Sequence, residues 1–386
     1  MHDADLPLAG TVVLDASRML PGAVLARSLL DLGARVIKVE DPRTGDLMRY
    51  TPPMVGGVGV GFAVYHRGAE SIGLDLRGGD GAAAFRALAA RVDVLIESFR
   101  PGTLERWGLD PEALAAEHPG LVRCSLPGFS DRGSKAGAVG HDMNFAGITG
   151  ALPRLKSAGV PDLQLADVTA GTLACTAIVA ALLRRARTGR GCSISQPLLS
   201  GPLHFLTWAW IEAAAAAADG QDPAYTTVLG GHAPCYRRYR CGDGLELSVG
   251  CLEPKFWVTF VQRIGLPELM GAGLDAGPDG QAAAARVEAR LGEQPREHWL
   301  SLVAADNLPI APIHTLDAAR QEPALKDSGL LEQTPLPGGA SLDAPGPSYP
   351  SLGRTPTRPA PRLGEHTRAV LEEFGLDPEL IARLAP

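Results

Sequence analysis

The chain has 386 residues, 45% of them hydrophobic, enough to bury a core for two domains or for one domain with a sizeable insertion. Its 36 Lys plus Arg against 43 Asp plus Glu leave a formal charge of −7, which argues against a nucleic-acid-binding role that would need a basic stripe. Cys124, Cys175, Cys192, Cys235, Cys241 and Cys251 form no Cys-x-x-Cys pair and no zinc-type spacing, so they read as buried free thiols in a reducing compartment.

The opening Met1-His2-Asp3-Ala4-Asp5 is acidic and lacks a basic region followed by an apolar run, which predicts a soluble cytoplasmic enzyme with no membrane association. Val12-Val13-Leu14 and Val36-Ile37-Lys38-Val39 are short β-branched runs. Between them, Ala23 to Leu32 carries apolar residues at helical spacing and stops at Gly33, so the three segments predict a strand, helix, strand unit. A second unit follows from a strand at Ser71 to Leu74, a helix at Gly81 to Arg91 and a strand at Val92 to Ile96. This alternation predicts a doubly wound parallel-sheet (Rossmann-like) α/β domain.

The Gly-rich tract Val55 to Gly61 looks superficially like a dinucleotide fingerprint. It lies outside the first strand-helix turn and precedes no clear helix, so it reads as a flexible loop bordering the active site. From Gly171 a helix is predicted to Arg187, closed by Thr188-Gly189-Arg190-Gly191. Its most apolar part, Ala170 to Leu183, is too short to span a bilayer and predicts a buried core helix. Cys192 to Ser195 reads as a strand, and Pro202 to Ala218 as a helix ending in Asp219-Gly220-Gln221-Asp222-Pro223.

A smaller α+β unit is expected to start near Tyr225. Its signals are a hairpin about Gly242-Asp243-Gly244 and helices at Lys255 to Ile264 and Gly280 to Leu291. The Pro- and Gly-rich tract Pro335 to Pro361 reads as an extended return, followed by a helix at Thr367 to Phe374. The expected domains are therefore a large one over 1–215, completed by 335–386, and a small one over 225–330.

Three residues suggest chemistry. His141 in Gly140-His141-Asp142, Asp167 in Leu165-Ala166-Asp167 and Glu253 in Leu252-Glu253-Pro254 each stand beside apolar sequence in a Gly-, Asp- or Pro-punctuated setting. A histidine and isolated carboxylates are an acid/base set that a packed core does not need. Each also has a purely local reading as a turn or helix-capping group.

The chain resembles the family III CoA-transferases and their relatives, the alpha-methylacyl-CoA racemases. The similar blocks are Leu8-Ala9-Gly10, Val13-Leu14-Asp15, Leu29 to Ala34, Val36 to Glu40, Gly45-Asp46 with Arg49, Leu74-Asp75-Leu76, Val94 to Gly102, Arg106 to Leu109, Ala311-Pro312-Ile313 and Ala360 to Thr367. They occur in family order over nearly the whole chain, which is more specific than any one short motif. The resemblance implies an acyl-CoA substrate, no tightly bound cofactor and no metal, and a homodimer whose subunits are interlocked.

By the racemase pattern, His141 and Asp167 exchange the alpha proton of a 2-methyl-branched acyl-CoA, and Glu253 orients the histidine. By the transferase pattern, Asp167 instead attacks the thioester and carries the acyl group and then CoA. Asp167-Val168-Thr169-Ala170-Gly171 is nearer the transferase pattern. His141 and Glu253 suit the racemase, and the transferases' run of four glycines is reduced here to Gly230-Gly231-His232. A non-catalytic CoA-binding relative would be expected to have lost Asp167.

The CoA contacts implied by resemblance are Leu20 and Pro21 after the first strand, Arg43 after the second, Leu74, Asp75, Leu76 and Arg77, Ser98, Phe99 and Arg100, Arg106, and Gly137, Ala138, Val139 and Gly140. Asp41 stands where relatives often carry arginine, and Arg43, Arg77, Arg100 and Arg106 are expected to compensate.

Overall fold

Six parallel strands form the centre of the computed structural model, which describes residues 5–130, 133–155, 162–218, 220, 228–353, 355 and 357–385. They are β1 (Val12–Ala16), β2 (Arg35–Glu40), β3 (Glu70–Gly73), β4 (Val94–Glu97), β5 (Val122–Ser125) and β6 (Cys192–Ser195), in the spatial order β3-β2-β1-β4-β5-β6. The order reverses between β1 and β4, the point at which α/β sheets open a crevice beyond the carboxyl ends of their strands.

Side chains alternate along each strand, so both faces of the sheet need cover. Val13, Val36, Val94, Ile96, Val122 and Cys124 pack against α1 (Met19–Asp31) on one face. Leu14, Ile37, Ile72 and Leu95 face the other way. They pack on α2 (Gly79–Ala89), α3 (Pro111–Glu117) and the C-terminal helices Thr367–Glu373 and Pro378–Leu384. Beyond α3 the chain makes α4 (Asp142–Thr149) and α5 (Leu165–Thr188), and α5 joins α1 on the first face.

α5 begins six residues before the expected Gly171 and runs for 24 residues, long and apolar enough by length and composition to cross a membrane. The expectation that this segment is too short is thereby corrected. Its Ala166, Ala170, Ala174, Cys175, Ile178 and Ala181 are buried, as expected of a core helix. Gly171 permits the close approach to α1, since a Cβ there would sit 2.7 Å from the Pro21 carbonyl oxygen.

The Gly-rich tract also differs from its reading as a flexible loop with no helix behind it. Met54–Val55 and Val58–Gly59 pair as a two-residue hairpin, and the helix Val60–Tyr65 follows at once. Similarly, the Pro-rich return contains an antiparallel ribbon, Leu331–Pro335 against Ser341–Pro345.

The chain falls into two compact units, 1–205 with 323–386, and 206–322, the first boundary lying within α6 (Ser200–Ala218). The expected helix stop at 219–223, Gly220 apart, and the expected unit start at Tyr225 lie outside the described residues. In the second unit β7 (Tyr236–Arg240), β8 (Glu246–Gly250) and β9 (Ile310–Pro312) form an antiparallel sheet in the order β9-β8-β7. Its core joins Tyr239, Leu247 and Val249 to Trp257, Phe260 and Trp299 from α7 (Pro254–Arg263) and α9 (Arg296–Val303), with Val287 from α8 (Pro278–Leu291). Each buried polar tip finds an acceptor: Trp257 donates to the Leu269 carbonyl at 2.9 Å, Trp299 to Leu291 at 2.8 Å and Tyr239 to Pro234 at 2.7 Å.

Candidate active site

At the switch point, the ends of β1, β2, β3 and β4 surround a shallow crevice lined by Ser17, Arg18, Lys38, Asp46, Leu74, Asp75, Leu76, Arg77, Phe99 and Trp107, among others. Its floor is a buried charge network that sequence reading missed. Asp15 and Lys38 are register partners on β1 and β2, so their side chains share a face, and the Lys38 ammonium lies 3.3 Å from Asp15 and 3.2 Å from Asp46. Burial alone would strip the charge from Lys38, but the two carboxylates overcome that and hold its affinity for the proton above the ordinary lysine value.

The network fixes the loop that leaves β1. Lys38 donates to the Ser17 carbonyl at 2.5 Å, the Ser17 amide donates to Asp15 at 2.9 Å, the Arg18 amide to Ser98 Oγ at 2.9 Å and the Met19 amide to Asp46 at 3.3 Å. Met19 holds a φ of 63°, unusual for a side-chain-bearing residue, and such positions persist only where the surroundings over-determine them.

The residues expected to bind CoA are brought together in part. Leu74 to Arg77 and Phe99 line the crevice, and a neighbouring cleft gathers Ser98, Phe99 and Arg100 with Gly137 and Ala138. Leu20 instead packs with Met48 and Phe62, and Pro21 is buried within α1. Arg43 and Arg77 are engaged by carboxylates: Arg77 with Asp41 and Asp75, and Arg43 with the same two. Asp41 therefore partners the compensating arginines rather than leaving them available. Arg106 lines neither cleft and donates to Thr103 Oγ1 at 2.9 Å. Val139 is exposed, and Gly140 has a structural reason for its identity, since a Cβ there would come within 2.9 Å of the Phe145 ring.

The acid/base block assembles within the first unit. His141 occupies the N-cap of α4, where its amide donates to the Asn144 side chain at 2.9 Å. The neighbouring Asp142 carboxylate reaches the start of α5 and accepts the amides of Ala166 at 2.6 Å and Asp167 at 3.0 Å. The Gly-His-Asp block is thus tied to the main chain of Asp167 itself, across 25 residues of sequence.

This tie has an electrostatic consequence. A carboxylate in the first turn of a helix is ordinarily stabilised by free amides and the helix dipole, but Asp142 already occupies those amides and adds a like charge. Burial, and after it Asp142, push the Asp167 carboxyl up to about 7. Glu253 lies in the second unit as the N-cap of α7, with its side chain exposed.

The chain matches CoA-transferase family III over residues 8–367 and belongs to that family. It is 32% identical to human "Alpha-methylacyl-CoA racemase" over 98% of this chain and 96% of that one. Against mouse "Succinyl-CoA:glutarate CoA-transferase" it is 30% identical, over 96% of this chain and 87% of the other. In structure it is similar to a CAIB/BAIF family protein from Brucella suis, with a TM-score of 0.80 at 28% identity, covering 96% of this chain and 99% of that one. It is an acyl-CoA-family enzyme whose members include both racemases and CoA-transferases.

Proposed function

We propose that this enzyme epimerises 2-methyl-branched acyl-CoA thioesters by 1,1-proton transfer, with His141 and Asp167 as the two proton-transfer groups. The observation that carries this reading is the Asp167 carboxyl held at about 7 beside the His141-Asp142 turn. A group that exchanges protons with a weakly acidic carbon works best when its own affinity lies near the working pH, and an aspartate at about 7 is placed there. Removing the alpha proton generates an enolate, and returning a proton to the opposite face from the second group completes the inversion without a metal or redox cofactor. Glu253 is assigned, on the resemblance alone, to orient His141.

The acyl-CoA sits, in this reading, with its nucleotide at the switch-point crevice and its pantetheine along Ser98 to Arg100 and Gly137-Ala138. The working form is proposed as an interlocked homodimer in the cytoplasm. Exposure of Phe205, Trp208, Trp210 and Ile211 on α6, each about 60% accessible, supports a partner chain.

The second reading, CoA transfer between carboxylic acids through acyl and CoA adducts of Asp167, is favoured by one observation, the Asp167-Val168-Thr169-Ala170-Gly171 sequence. Hydroxylamine during turnover separates the two. Proton transfer leaves no adduct to trap, whereas acyl-CoA-dependent inactivation with modification at Asp167 would establish the transferase.

A further inference from the structure

Three cations line the switch-point crevice, and two of them are occupied. Lys38 is buried against Asp15 and Asp46, and Arg77 is paired with Asp41 and Asp75. The third, Arg18, is exposed, and among the described residues its guanidinium makes no ion pair. We propose that Arg18 is the phosphate-binding cation of this site, taking an anionic phosphate of the CoA nucleotide; the inference rests on the acyl-CoA reading above.

The placement of Arg18 is built rather than incidental. Its amide is anchored to Ser98 Oγ at 2.9 Å, the preceding carbonyl is held by Lys38 at 2.5 Å, and the following amide by Asp46 at 3.3 Å. Its guanidinium stands 5.1 Å from the centroid of the Phe99 ring, which is itself braced edge-on by Trp107 at 5.0 Å. The planar cation is therefore presented over the crevice on an aromatic support, in a loop whose backbone does not have to reorganise on binding. Arg43 and Arg77 would have to exchange existing carboxylate partners for phosphate, so they gain less from the same ligand. Among the described residues, Arg18 has no carboxylate partner to give up.

The test compares wild type, Arg18→Ala and Arg18→Lys by calorimetric titration with CoA and with pantetheine, which has no phosphate. Arg187→Ala, an exposed arginine at the far end of α5, is the charge-loss control. Arg18→Ala should weaken CoA about 10-fold or more, the usual worth of a charge-assisted contact, and steepen no salt dependence, while pantetheine binding stays unchanged. Arg18→Lys should recover most of the loss, and Arg187→Ala should shift CoA affinity less than about 2-fold. Arg18→Ala that binds CoA like wild type, or that loses CoA and pantetheine affinity equally, overturns the assignment of Arg18. Wild-type protein that binds no CoA overturns the acyl-CoA reading itself.

Discussion

Asp167→Asn should make the protein inactive and, above neutral pH, more stable. The folded state holds the Asp167 carboxyl at about 7 against 3.8 for an ordinary aspartate. At about 1.4 kcal/mol for each tenfold difference in proton affinity, this amounts to about 4 kcal/mol. Because the folded value is the raised one, the favourable contribution is complete below pH 3.8, where both states are protonated. It is lost progressively as the unfolded chain ionises, and is gone once the pH has risen through about 7. Asparagine has nearly the same shape and no charge to desolvate. The variant should therefore match wild type near pH 4 and exceed it by up to about 4 kcal/mol at pH 8, the gap opening between those limits. Urea unfolding of both proteins at pH 4, 5, 6, 7 and 8 measures the gap. A difference that does not change with pH, or a variant less stable at pH 8, would refute the argument that burial and Asp142 force Asp167 to hold its proton.

His141→Ala should lower alpha-proton exchange by about 10²–10⁴-fold, the usual range for a general acid/base, with CoA affinity little changed. Substantial CoA transfer to a carboxylate acceptor in that variant would favour the transferase reading. A third prediction concerns His66, fully buried on the Phe62 ring, with neither ring nitrogen hydrogen-bonded among the described residues. Burial, and after it Lys38, push the imidazole down to about 3. The unfolded chain then takes up the proton first as the pH falls below 6.5, so this residue costs stability between pH 6.5 and 3. His66→Phe should flatten that acid limb in urea unfolding at pH 4 against pH 7, and an acid limb as steep as wild type would count against it.

Strands β1 to β4 and helices α1 and α2 of the first unit were legible because their apolar periodicity matches their burial: Val36, Ile37 and Val39 read as a strand and are one, whereas β5, α3 and α4 carried no such reading. The start of α5 was not legible. Asp142 supplies its N-terminal hydrogen bonds from 25 residues upstream, and no capping residue of its own marks the place. For the same reason His141 and Asp167 could be nominated from residue type, but the tie of the Asp142 carboxylate to the Asp167 amide could not. Lys38 sat inside a β-branched run with no signal of its own, whereas its cross-strand partner Asp15 makes it the centre of the crevice floor. Counting arginines in loops pointed to Arg43, Arg77 and Arg106. Carboxylates or a threonine engage these three; the fourth expected arginine, Arg100, lines the neighbouring cleft, and the crevice itself holds Arg18, whose one sequence signal was its position just beyond the first strand.

Proton transfer at the alpha carbon is the central claim, and isotope exchange reads it directly. A single enantiomer of a 2-methylacyl-CoA incubated with the wild-type enzyme in D₂O, without any carboxylate acceptor, should take up one deuterium at the alpha carbon as it loses optical purity, and Asp167→Asn, left with one of the two groups, should not change its optical purity. A thioester that keeps its alpha proton and its configuration under these conditions, yet passes CoA to a carboxylate once one is supplied, would contradict the account and identify the enzyme as a transferase.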